Sequence, residues 1–153
     1  MAHEFVVILD NGSQYTQLIA RRTRELGVFS EIHSHTTPAA EILARKPIGI
    51  ILSGGPASVY LDGAPQIDEA YFTSETPVLG ICYGMQFGSR ALGGTVEQGP
   101  KREFGHADLE IVHPSDLLHG FQSEGAKANR VWMSHGDKVT KLPEEDWDTL
   151  ART

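Results

Sequence analysis

Short apolar runs alternate along this chain with stretches whose apolar residues recur at helical spacing. Phe5 to Leu9 contains no polar residue, the signature of a strand buried on both faces of a parallel sheet. A helix is predicted from Tyr15 to Leu26, with Ser13 as N-cap and Gly27 as its stop. Tyr15, Leu18, Ile19 and Leu26 are expected on its buried face, with Arg21, Arg24 and Glu25 elsewhere. Val28 to Ile32 reads as a second strand, and Ala39 to Arg45 as a short helix closed by Pro47. Ile48 to Leu52 is a third strand, ending in Ser53-Gly54-Gly55-Pro56. Pro65 to Phe72 is predicted helical. Pro77 to Ile81 is a fourth strand, and Tyr83 to Leu92 a helix stopped at Gly93 and Gly94. Such βα units imply an α/β fold around a mostly parallel sheet. Beyond Gly94 the segments shorten. Thr95 to Gln98, Ala107 to Val112 and Arg130 to Ser134 are expected as strands of a small antiparallel region laid against the main sheet. Gln122 to Asn129 reads as a surface loop, and a last strand is expected to begin near Trp147.

A length of 153 residues fits one domain, and 40% hydrophobic with 22% charged residues suits a chain that buries a core. The net charge of −7 argues against nucleic acid as a partner, since phosphate binding wants a basic surface. No apolar run is long enough for a membrane span or signal-peptide core, because Asp10 ends the first one. The single cysteine excludes an internal disulfide and suits a reducing cytoplasm.

That cysteine lies at a strand-to-helix junction, in Gly80-Ile81-Cys82-Tyr83-Gly84. The commonest fate of a lone cysteine is to be a small buried hydrophobe. A packed core cysteine requires neither flanking glycines nor a strand before and a helix after. Here Gly80 and Gly84 copy the G-x-S-x-G elbow with cysteine for serine. The elbow thrusts Cys82 out at the carboxyl end of a strand, where open α/β sheets bind ligands. It also sets it at a helix N-terminus, which favours thiolate and offers N–H groups to an oxyanion.

Ser53-Gly54-Gly55-Pro56 likewise follows a buried strand. Alone it is a turn. With the elbow nearby, adjacent glycines let a backbone N–H approach a substrate carbonyl. Ser-Gly-Gly also opens the pyrophosphate loop of ATP pyrophosphatases, but that loop continues with Asp-Ser, whereas Pro56-Ala57 follows here. The nucleotide-loop reading is rejected.

The segment from Gly80 through Met85 and Gln86, with the Gly-Gly-Pro loop before it, resembles the nucleophile region of class-I glutamine amidotransferases. Four further segments resemble the glutaminase domains of the glutamine-hydrolysing GMP synthases: Asp10 to Arg22, Ile51 to Pro56, Arg102 to Gly105 and Val131 to Val139. The resemblance spans nearly the whole chain. It implies a flavodoxin-like α/β sandwich, with Cys82 attacking the glutamine amide to give a thioester and ammonia. It implies an oxyanion hole from the backbone N–H groups of Gly55 and Tyr83, with Gly54 as the alternative. Gln86, Ser134, His135 and Gly136 would hold the substrate glutamine. The ammonia would serve ATP-dependent amination of XMP to GMP in purine biosynthesis. The partner would be an ATP pyrophosphatase domain using ATP and Mg, with a dimer expected only for the complete enzyme. No cofactor or metal is implied for this domain.

The main departure from the family is the base. It belongs to a His-Pro-Glu segment, and none occurs here: His113-Pro114 is followed by Ser115. His135 belongs to a substrate-binding segment and is not assigned as the base. The chain is therefore expected to be the N-terminal part of a glutaminase domain, truncated at its C-terminus, lacking the synthetase and dimerisation domains, and inactive or very slow alone. Two alternatives are a glutamine-binding module without turnover, and an amidotransferase subunit serving anthranilate, aminodeoxychorismate or carbamoyl phosphate synthesis. The latter shares the elbow but not the Gly12-to-Tyr15 opening or the Trp132-to-Lys138 run.

Overall fold

The computed structural model describes residues 4–121, 129–144 and 147–153, with only the backbone described for 100–103. The chain divides into two compact units, Met1–Glu97 with Val139–Pro143, and Gln98–Lys138 with Glu144–Thr153. The expected loop from Gln122 lies, apart from Asn129, outside the described residues.

The first unit is built on β1 (Phe5–Asp10), β2 (Phe29–Ser34), β3 (Gly49–Leu52) and β4 (Val78–Gly80). They form one sheet in the order β2-β1-β3-β4, and each pairing is parallel. This is the flavodoxin-like order, in which connections leave β1 towards one side and β3 lies on the other. Val7, Ile8 and Leu9 in β1 and Ile50 and Leu52 in β3 are fully buried, as expected for central strands covered on both faces. Leu9 pairs with Leu52, and Leu52 with Gly80. The register therefore ends β3 and β4 at one level, with β1 one residue further, and brings the following loops side by side.

Three helices accompany them: α1 (Thr16–Glu25) between β1 and β2, α2 (Ala39–Leu43) between β2 and β3, and α3 (Tyr83–Ala91) after β4. The C-terminus of α1 closes with Gly27 N–H on the Arg24 carbonyl at 2.9 Å and Val28 N–H on Thr23 at 3.3 Å. The same pair of bonds closes α3, from Gly93 to Arg90 at 3.1 Å and from Gly94 to Ser89 at 2.7 Å. Both are Schellman motifs, at the glycines expected to stop these helices.

Several expectations are corrected. The buried stripe of α1 is Thr16 and Ala20 with half-buried Ile19 and Thr23, whereas Tyr15, Leu18 and Leu26 are exposed. Ser13 does not cap α1. Its hydroxyl accepts from Tyr15 N–H at 3.0 Å, one residue short of the helix. Pro65 to Phe72 yields only a 3-10 turn, Glu69–Tyr71. The Pro65 carbonyl accepts from the Tyr83 hydroxyl. Asp68 is extended, and its carboxylate takes the N–H groups of Ala39 and Ala70 at 2.8 and 3.0 Å. These backbone bonds hold the Asp68 carboxyl below the usual range, that of Ala39 most.

Past α3, β5 (Thr95–Ile111) is one long strand rather than two short ones, with Gly105 at φ 117° inside it. With β6 (Asn129–Lys141) and β7 (Ala151–Arg152) it forms a separate three-stranded sheet, ordered β6-β5-β7. β7 pairs antiparallel with β5 and begins at Ala151, not near Trp147. The expected fold class, α/β with a mostly parallel sheet and a small antiparallel region, is observed, the latter as a sheet of its own. No helix among the described residues is long and apolar enough to cross a membrane.

Candidate active site

The site begins with the register of β1, β3 and β4. Two residues beyond the paired Leu9, Leu52 and Gly80 stand Asn11, Gly54 and Cys82. These loops lie at the carboxyl ends of the strands, beside the point where the strand order reverses between β1 and β3.

Cys82 is half-buried and has φ 49° and ψ −106°. For a residue with a Cβ this costs about 1–3 kcal/mol and persists only where the surroundings dictate it. Here they do. Ile81 N–H bonds the Leu52 carbonyl at 3.0 Å, extending the ladder one residue past β4. Gly84 N–H returns to Ile81 at 3.0 Å, and Gln86 N–H to the Cys82 carbonyl at 2.9 Å, which opens α3.

The flanking glycines are steric necessities. A Cβ on Gly80 would lie 2.5 Å from the Met85 nitrogen and 2.6 Å from its Cα. One on Gly84 would lie 2.5 Å from both the Cβ and the carbonyl oxygen of Leu52. Cys82 therefore stands directly before α3, whose first N–H groups have no intrahelical partner.

A Cβ on Gly54 would sit 3.5 Å from the Cys82 Cβ and 3.8 Å from the Ser13 hydroxyl, so Gly54 turns its bare face towards Cys82. Gly55 backs onto β1's loop, where a Cβ would meet the Asn11 carbonyl at 2.5 Å. Both lie in a loop pinned by Asn11 and Ser53. The Asn11 N–H donates to the Ser53 hydroxyl at 2.9 Å, and its side-chain amide to the Ser53 carbonyl at 2.8 Å. Asp10 shapes the same turn, accepting from Gly12 N–H at 2.9 Å and the Thr16 hydroxyl at 2.8 Å. Residue-by-residue reading missed this framework. Its signal was Asp-Asn-Gly at a strand end, an Asx-turn sequence.

Gln86 is buried in α3. The Tyr83 ring is fully buried, its hydroxyl donates to the Pro65 carbonyl, and burial pushes its phenol pKa up. Ser134, His135 and Gly136 lie in β6 of the second unit, the first exposed and the others half-buried. The structure thus gathers Gly54, Gly55, Cys82, Tyr83 and Gln86 in one unit and carries the other three in the second. A cleft of about 390 Å³ beside Phe87 and Arg90, towards the far end of α3, does not include Cys82. Among the described residues no group of three His, Cys, Asp or Glu side chains could hold a metal ion.

The sequence matches the family described as glutamine amidotransferase class-I over residues 7–153. It is 51% identical over 142 residues to a glutamine-hydrolysing GMP synthase of Desulfotalea psychrophila, and 53% identical to one of Bacillus cereus. Each match covers 93% of this chain and 27% of the relative, so the chain spans about a quarter of the length of these curated relatives. Among solved structures it resembles a Thermoplasma acidophilum protein described as a GMP synthase subunit. The TM-score is 0.74 and the identity 29%, over 95% of this chain and 71% of that one. A Thermotoga maritima glutamine amidotransferase shares the fold at TM-score 0.62 and 23% identity, over 94% of this chain and 65% of that one.

Proposed function

Because the chain belongs to the class-I glutamine amidotransferase family, we propose that Cys82 is the nucleophile that releases ammonia from glutamine. The observation carrying this reading is its backbone: a non-glycine residue at φ 49° between two glycines where no Cβ fits. A cysteine serving only as core filling gains nothing from that strain.

In the proposed reaction the Cys82 thiolate adds to the side-chain amide carbon, and the carbonyl electrons move to oxygen. The backbone N–H groups of Gly55 and Tyr83, with Gly54 as the alternative to Gly55, stabilise that oxyanion. The carbon–nitrogen bond then breaks, a proton goes to nitrogen, and ammonia leaves a γ-glutamyl thioester. Water attacks the thioester, the carbon–sulfur bond breaks, and glutamate and the thiol are released. Gln86 holds the substrate glutamine, and Ser134, His135 and Gly136 contact its amino-acid end. Proton transfer of this kind contributes about 10²–10⁴-fold, and family resemblance assigns it to a His-Pro-Glu segment absent from these 153 residues. Identity of 51–53% to GMP synthases supports a destination for the ammonia: amination of XMP by an ATP-using synthetase domain.

The test incubates the 153-residue chain with glutamine and with an electrophilic glutamine analogue, following glutamate release and protein mass together. Labelling at Cys82 with little glutamate is expected, with hydrolysis restored when a family His-Pro-Glu segment is supplied. Rapid hydrolysis by these residues alone would overturn the assignment of the base outside them. Absence of labelling would overturn Cys82 as the nucleophile.

A further inference from the structure

The Ser53 hydroxyl is fully buried and has one proton to give. The Asn11 N–H can only donate, so it takes a lone pair of the Ser53 oxygen at 2.9 Å. The proton is thereby left for the other partner, the Gly54 carbonyl oxygen at 2.9 Å. The Ser53 N–H is held on the Leu9 carbonyl at 3.0 Å, and the Ser53 carbonyl by the Asn11 side chain at 2.8 Å. Every polar group of Ser53 is fixed by the β1–β3 framework.

The consequence falls on the next peptide. None of the described peptide bonds is cis, so the Gly55 N–H points opposite to the Gly54 carbonyl. Holding that carbonyl on Ser53 directs the Gly55 N–H away from Ser53. Glycine on both sides leaves little steric resistance to rotation of this peptide. A flip would present a carbonyl oxygen where an N–H is needed, beside Gly54, where an added Cβ would meet the Cys82 Cβ at 3.5 Å.

We propose that Ser53 is a positioning residue, whose hydroxyl latches the Gly54–Gly55 peptide with its N–H available to the oxyanion formed on Cys82 attack. The proposal rests on the Cys82 reading above and adds a residue that reaches the reaction only through the backbone.

The experiment uses the native protein, with this chain in its natural polypeptide, and compares it with Ser53→Ala, Ser53→Thr and a Cys82→Ala blank. Glutamine hydrolysis gives kcat and KM. Alkylation of Cys82 by iodoacetamide, read by mass, reports an intact elbow, because displacing iodide develops no oxyanion. Ser53→Ala should lower kcat about 10²-fold, the lower end of the loss for one oxyanion donor. KM and the alkylation rate should stay near those of the unaltered protein. Ser53→Thr, which keeps the donor, should recover most of the lost kcat. An unchanged kcat in Ser53→Ala overturns the latch, and so does a parallel fall in kcat and alkylation, which would make Ser53 a support of the elbow alone. If the unaltered protein releases no glutamate above the Cys82→Ala blank, the Cys82 reading itself falls, and the latch with it.

Discussion

The two units reach order by different means. Every buried hydrophobic side chain among the described residues, from Phe5 to Val96, belongs to the first unit. In the second unit no described residue is buried. Its specific contacts lie at the surface: Trp132 meets His106 edge-on at 5.0 Å, and Arg152 meets Glu110 at 3.0 Å. The first unit is fixed by packing, so a strained residue such as Cys82 can be held in place by its neighbours. The second is fixed mainly by strand pairing and cross-strand pairs, which are individually weak. A nucleophile that must keep one geometry belongs on the first kind of support.

The largest expected effect tests that support directly. Gly84→Val would drive a branched side chain into Leu52, and Gly55→Val into the Asn11 carbonyl. Each should cost about 3 kcal/mol or more, the upper range for overpacking against backbone. Cys82→Ala removes one half-buried sulfur and should melt within about 1 kcal/mol of the unaltered chain, while losing all labelling and turnover. Melts that showed Cys82→Ala unfolding and both valine variants intact would mean that the packing around the elbow is not what positions it.

A smaller effect is expected in the second unit. Trp132 is large but 67% exposed, and a cross-strand aromatic pair contributes about 0.2–1 kcal/mol. Trp132→Ala should therefore shift global stability by about 1 kcal/mol at most. Hydrogen exchange should show described amides of β6 opening at lower free energy than those of β1 and β3. Equal protection in the two sheets would mean that the two units do not differ in how firmly they are held.

The sequence made the strands and the elbow legible, because both rest on local chemistry. Val6 to Leu9 can satisfy their apolar side chains only in a central strand, and Gly80 and Gly84 bracket Cys82 as an elbow demands. What was not legible depended on partners distant in sequence. Thr16 outranked Leu18 for burial because Asp10, six residues earlier, accepts its hydroxyl. The helix predicted after Pro65 fails because Tyr83, 18 residues later, takes the Pro65 carbonyl. The short strands predicted at Thr95 to Gln98 and Ala107 to Val112 merge, because Gly105 takes φ 117° within β5 without ending it. The apposition of Gly54 with Cys82 follows from strand order, which periodicity alone does not give.

The smallest effect expected comes from an ion pair in the packed first unit. Glu31 in β2 accepts both guanidinium nitrogens of Arg45, at 2.6 and 2.8 Å, and is approached by His33 Nε2 at 3.1 Å. Arg45 also lies over the Phe5 ring, 4.9 Å from its centre, which fixes the guanidinium independently of Glu31. The Arg45 bonds, and secondarily His33, hold the Glu31 carboxyl down from its ordinary 4.5 to about 2. A carboxyl depressed on folding stabilises the folded state while it is ionised in both states, above pH 4.5. The contribution fades as pH falls from about 4.5 towards 2 and is gone below that. Arg45 is 44% exposed in its side chain, so solvent screening limits the net effect to about half a kcal/mol. Glu31→Gln should therefore be less stable than the unaltered chain by that amount at pH 7, and less so in high salt. Denaturant melts at a series of pH values should show the gap closing between pH 4.5 and 2, with the variant's stability changing less over that range. A gap independent of pH would show that Glu31 acts through its shape, as a packed amide would, and not through its charge.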